Sequence, residues 1–82
     1  MKTFQNTMSI RCDDGLSYTV NFNFADDVSE LYHEFEVKSG HRDILLLCNG
    51  LIIKKGKCIN DVYNYNKSIV AVSKKKMGHT SV

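Results

Sequence analysis

The chain carries one helical stripe of useful length and no second to pair with it. Val28, Leu31, Tyr32 and Phe35 recur at i, i+3, i+4 and i+7, behind Asp27 and Glu30 at the spacing of a capping box. That spacing predicts a helix of about three turns, and Gly40 supplies the left-handed residue that commonly closes one. An amphipathic helix must bury its apolar stripe, and without a partner helix the only cover is one face of a sheet. The fold class is therefore confined to α+β.

The flanking segments supply that sheet. Met8, Ile10 and Cys12 alternate with Ser9 and Arg11, and after Asp13-Asp14-Gly15 the alternation resumes with Leu16, Tyr18, Val20 and Phe22 on the inward phase. This predicts a β-hairpin, with Asp14-Gly15 suited to a type I′ turn. Beyond the helix comes the apolar run Ile44 to Cys48, then Asn49-Gly50, then Leu51-Ile52-Ile53 leading into the turn at residues 54–57. A helical turn is expected near Asn60-Asp61 and a last strand from Ser68 to Ser73. The order ββαβββ gives a two-layer roll, a mixed sheet of about four to five strands packed on one helix. That is the β-grasp arrangement.

Eighty-two residues, 43% hydrophobic and 24% charged, suit one small globular domain and exclude disorder. A chain of this size has little interior to spare for a deep catalytic cavity, so binding is expected in place of catalysis. Eleven basic residues against nine acidic ones, a net charge of +2, fall short of a dedicated nucleic-acid binder. Three widely spaced cysteines, Cys12, Cys48 and Cys58, with no apolar signal at the N-terminus, fit a reducing cytosol or nucleus. No apolar run approaches the ~20 residues that span a bilayer. Residues 1–7 read as a flexible leader or expression remnant, 8–74 as the domain and 75–82 as a polar tail.

Several patterns that can carry chemistry have an ordinary reading here. Gly50 and Gly56 are separated by five residues where a phosphate loop needs four, and Cys58 stands where its Ser/Thr would hold Mg²⁺. Cys12 and Cys48 fall on inward strand positions as small apolar side chains, and Cys58 lacks an orienting histidine. His33, His41 and His79 show no close pairing with one another or with the cysteines, so no metal or cofactor is expected. Asp13-Asp14 and Asp26-Asp27 suit a turn and a helix N-terminus. Asn66-Lys67-Ser68 has the form of a glycosylation sequon, which needs a secretory context. Lys74 to Lys76 reads as a solvated strand end, and Thr80-Ser81-Val82 has the form that PDZ domains capture.

In order and spacing the chain resembles ubiquitin and its relatives from Met8 to about Lys74. The segment from Leu46 to Val62, with Asn49-Gly50 between two apolar runs and a central Gly56 before Ile59-Asn60-Asp61-Val62, looks like that family's strand-Gly-strand signature and the segment after it. Asp26 to Leu31 looks like its helix start, and Met8-Ser9-Ile10 like its first strand. The resemblance implies a β-grasp domain that works by binding proteins, with a ubiquitin receptor or another component of the ubiquitin/proteasome pathway as partner.

The strand phases place Ile69, Ala71, Leu46 and Cys48 inward and leave Leu45, Leu47, Val70 and Val72 outside. By the resemblance, Leu47, Val70 and Val72 fall at positions of ubiquitin's main hydrophobic recognition patch, with Lys74 beside them. The expectation is a monomeric, unconjugated adaptor of the cytoplasm or nucleus that binds through this face and touches neither membrane nor nucleic acid. The chain departs from ubiquitin in its shorter first turn and in ending without Gly-Gly. Two other readings follow from the tail: a modifier processed at Gly78, which requires removal of the four residues after it, and a basic module contacting RNA.

Overall fold

The computed structural model describes residues 3–64 and 67–74. Strands β1 (Asn6–Cys12) and β2 (Ser17–Phe22) precede helix α1 (Val28–Ser39). There follow β3 (Ile44–Cys48), β4 (Leu51–Ile52), the single turn α2 (Ile59–Val62) and β5 (Ile69–Ser73). The strands form one mixed sheet in the order β2-β1-β5-β3-β4. Parallel pairing occurs between β1 and β5, and the other neighbours run antiparallel.

β1 starts earlier than its alternation suggests. Asn6 and Thr7, placed by sequence in the leader, pair with Phe22 and Asn21. The Gln5 N–H also donates to Asn23 Oδ1 at 2.7 Å, and Asn23 Nδ2 donates to the Thr3 carbonyl at 2.9 Å. The polar composition hid this extension, because an outer-face position and a ladder end need no apolar side chain.

The first hairpin turn also differs from expectation. The Cys12 N–H donates to the Leu16 carbonyl at 2.8 Å and the Gly15 N–H to the Cys12 carbonyl at 3.1 Å, enclosing a three-residue loop. Gly15 has positive φ but Asp14 does not, so this is the three-residue form and not type I′. Leu16, read as an inward residue, lies outside the ladder at 59% exposure. The two-residue turn with positive φ at both positions is instead Asn49-Gly50, which joins β3 to β4.

Helix α1 starts and stops where its end signals stand. The Asp27 carboxylate accepts from the Ser29 N–H at 2.8 Å, and the Gly40 N–H closes on the Glu36 carbonyl at 2.9 Å. The same Asp27 carboxylate takes the Gly56 N–H at 3.1 Å, tying the helix N-terminus to the loop before α2. These two donors, Ser29 first, hold the Asp27 carboxyl below its ordinary value of 3.8. The folded state therefore favours the ionised form. Its contribution is complete above the ordinary carboxylate value and is lost as pH falls through the lower folded value. Denaturation at a series of pH values between about 5 and 2 is expected to show a shallower acid limb in Asp27→Asn than in the parent. An unchanged slope would remove Asp27 from the acid response.

Val28, Leu31, Tyr32 and Phe35 all point into the core, against Met8, Ile10, Val20, Phe22, Leu46, Ile69 and Ala71 of the sheet. At one end of the layer, Phe22, Phe24 and Tyr63 form an aromatic cluster with centroids 5.0 to 6.2 Å apart. It seats α2, whose first N–H groups reach back to the Asp26 and Phe24 carbonyls. Tyr32 carries a polar atom into this interior. The Tyr32 hydroxyl donates to the Ile53 carbonyl at 2.8 Å and accepts from the Leu46 N–H at 3.1 Å, standing between β3 and the chain that leaves β4.

Candidate functional site

The pairing register divides the outer face of the sheet into two halves. Ser17, Arg11, Val70, Leu47 and Ile52 form one row across all five strands, each opposite the next, and Val72 lies opposite Leu45 one step along. Side chains opposite each other in a ladder share a face. The β2–β1 half is polar, with Thr7, Ser9, Arg11, Ser17 and Thr19 all exposed. The half formed by β5, β3 and β4 is apolar.

Leu45, Leu47 and Val72 are half-buried by their neighbours, whereas Val70 is 37% exposed and Ile52 43%. A surface depression is lined by Leu47, Asn49, Gly50, Ser68, Val70 and Val72. A second, between the helix and the sheet edge, is bordered by Leu45 and Ile52 and carries both acidic and basic groups, Glu36 and Asp43 with Lys54 and Lys74. Arg11, in register with Val70, stands at the opposite border. The patch is thus apolar at its centre, with Arg11 at one edge and a mixed border of lysines and carboxylates at the other.

Of the residues singled out from sequence, Leu45, Leu47, Val70 and Val72 share the outer face, and Lys74, just past β5, lines the edge depression with Leu45. The structure adds Ile52, which sequence reasoning left out. The signal was available in the two-residue Asn49-Gly50 turn, because such a turn fixes Leu47 opposite Ile52. Gly78 and the Thr80-Ser81-Val82 end lie outside the described residues.

A second cluster forms at the other end of the sheet, and linear spacing conceals it. The hairpin loop carries Asp14 beside His41, which follows the helix: His41 Nε2 lies 2.7 Å from Asp14 Oδ2. The Tyr18 hydroxyl donates to that same oxygen at 2.8 Å, and the Leu16 N–H donates to Oδ1 at 2.8 Å. These contacts, the Leu16 N–H foremost, then His41 and Tyr18, pull the Asp14 carboxyl down to about 2. The Cys12 thiol sits underneath, buried and pushed up chiefly by that burial. Among the described residues, Cys12, Asp14 and His41 are a group that could hold a metal, their donor atoms all lying within 4.8 Å of one another.

Cys48 is also buried, which raises its thiol, while half-buried Cys58 donates from Sγ to the Phe24 carbonyl at 3.1 Å. Both are occupied with packing or hydrogen bonding. No helix among the described residues is long and apolar enough to cross a membrane. No protein-family model and no characterised protein sequence matches the chain.

Proposed function

We propose that this chain is a ubiquitin-like β-grasp module that acts by binding a protein partner and not by catalysis. The observation that carries the reading is the apolar half-face in which Val70, Leu47 and Ile52 stand in one row with Leu45 and Val72 beside them. Strand order β2-β1-β5-β3-β4, with one helix across the inner face, supports the family assignment. An apolar centre with a charged border is the composition of a recognition patch. The occupant that suits it is a segment of a ubiquitin-receptor-type protein, apolar along one side and acidic at its margins to meet Lys54, Lys74 and Arg11.

The test uses Leu47→Asp, which places a charge at the centre of the row. Titration of the labelled chain with receptor-type ubiquitin-binding helices is expected to shift amide signals of β3, β4 and β5, and the variant is expected to lose that binding. Because Leu47 is half-buried, the variant's thermal midpoint is measured alongside. Ile52→Asp, at an exposed position of the same row, is expected to lose binding with a midpoint within a few degrees, since surface changes are usually within about ±0.5 kcal/mol. Shifts centred on the polar half, or binding undiminished in Leu47→Asp, would defeat the reading. Loss of folding in the variant would assign Leu47 a core role instead.

A further inference from the structure

We propose that Cys12, Asp14 and His41 form a three-ligand site for a Zn²⁺ ion, built where the first hairpin turn meets the connection after α1. The donor set is one thiol sulfur, one imidazole nitrogen and one carboxylate oxygen, all within 4.8 Å of one another. Sulfur and imidazole together select a borderline-soft transition ion over Ca²⁺ or Mg²⁺, which take oxygen ligands. Three protein ligands leave one tetrahedral position for water.

The charges close as well. A thiolate and a carboxylate balance a dication, and neutral His41 supplies the third bond without adding charge. The Asp13 carboxylate accepts the Ser73 N–H on Oδ2 at 2.8 Å, and its Oδ1 lies 3.7 Å from the Cys12 sulfur.

The three donor atoms converge within the reach of one ion but are not yet at ligand spacing. Zn–S near 2.3 Å and Zn–N or Zn–O near 2.0–2.2 Å set ligand atoms roughly 3.3–3.7 Å apart. His41 Nε2 and Asp14 Oδ2, now 2.7 Å apart, would separate by about 0.6 Å to admit the ion between them. Both residues belong to surface connections, which absorb such a shift more readily than paired strands do. As the metal enters, the Nε2 position is freed by passing the ring proton to Nδ1, which keeps the imidazole neutral, and the Cys12 thiol proton leaves to solvent.

Outer contacts are already in place to aim the ligands. The Leu16 N–H and the Tyr18 hydroxyl fix the Asp14 carboxylate from two sides. The Tyr18 ring meets the His41 ring edge-on at 6.3 Å, and the His41 N–H donates to Ser39 Oγ at 3.1 Å, holding the loop that presents the imidazole. Support of this kind commonly distinguishes a ligand cluster from side chains meeting by chance on a surface.

The test titrates the reduced, metal-free chain with Co²⁺, which reports thiolate ligation by a sulfur-to-metal charge-transfer absorption, and with Zn²⁺ as the competitor that bleaches it. One equivalent is expected to bind. His41→Ala, a surface change that leaves the core intact, is expected to weaken binding by more than about 100-fold, since loss of outer-contact residues alone costs 10- to 100-fold. Cys12→Ser is expected to abolish the charge-transfer band, while Cys58→Ser and His79→Ala leave it unchanged. Absence of the band in the parent chain, an undiminished Co²⁺ affinity in His41→Ala, or loss of the band in Cys58→Ser would overturn the assignment, leaving His41 and Asp14 as a hydrogen-bonded surface pair.

Discussion

Leu31→Ala is expected to lower the free energy of unfolding by about 2–5 kcal/mol. Leu31 is fully buried at the middle of the longest helix among the described residues, between Val28, Tyr32 and Phe35 of its own stripe and the inward residues of the sheet. Truncation removes transfer free energy and opens a cavity that the surrounding strands cannot close, because both layers are fixed by backbone pairing. A domain of this size is marginal to begin with, so a loss at the upper end of that range would unfold much of the population. Urea denaturation measures it as a fall in midpoint with an unchanged slope. A fall below about 0.5 kcal/mol would mean that the helix is not held by this stripe.

Tyr32→Phe is expected to cost about 1–3 kcal/mol, an unusual loss for the removal of one oxygen. The ring stays buried in either case. What disappears is the hydroxyl that accepts from Leu46 and donates to Ile53, so a buried N–H and a buried carbonyl lose their partner together. Burial raises the Tyr32 phenol pKa, which keeps it in the protonated form that both bonds require. The Lys55 ammonium lies 5.1 Å from the ring centroid, a contact that phenylalanine retains. The change thus isolates the hydroxyl. Denaturation of the purified variant checks it, and equality with the parent would mean that the two backbone groups find other partners.

The helix was legible because its two ends carry their own chemistry: Asp27 caps by side chain and Gly40 closes by backbone, independently of what the helix packs on. The inward strand residues were legible for a similar reason, since period two leaves only one way to bury Ile10, Val20, Leu46 and Ala71 at once. Asp14-Gly15 misled because the same dipeptide serves a two-residue turn and the last two positions of a three-residue loop. Only the pairing of Cys12 with Leu16 decides between them. Tyr32 was read as apolar from its place on the stripe, and periodicity does not say where a hydroxyl points. The Cys12, Asp14 and His41 cluster was out of reach in principle. Asp14 and His41 are separated by 27 positions, and their meeting depends on how the helix C-terminus lies over the hairpin. The apolar outer half-face lay between these cases: its strand phases could be read, but its extension to Ile52 required the turn type at Asn49-Gly50.

The hydroxyl between β3 and the end of β4 has a further consequence for the outer face. Beyond the pairs Leu47–Ile52 and Cys48–Leu51, and the Ile53 N–H bond to the Leu46 carbonyl, the edge of the sheet is continued through a side-chain oxygen belonging to the helix. A ribbon held this way is anchored less by its own backbone ladder than by the helix, because Ile53 is buried in the core beside the Tyr32 hydroxyl. Ile52, the next residue, faces out in the apolar row. The margin of the apolar half-face is therefore tied to the interior, and anything that loosens the Tyr32 bonds should reach the binding face through one residue.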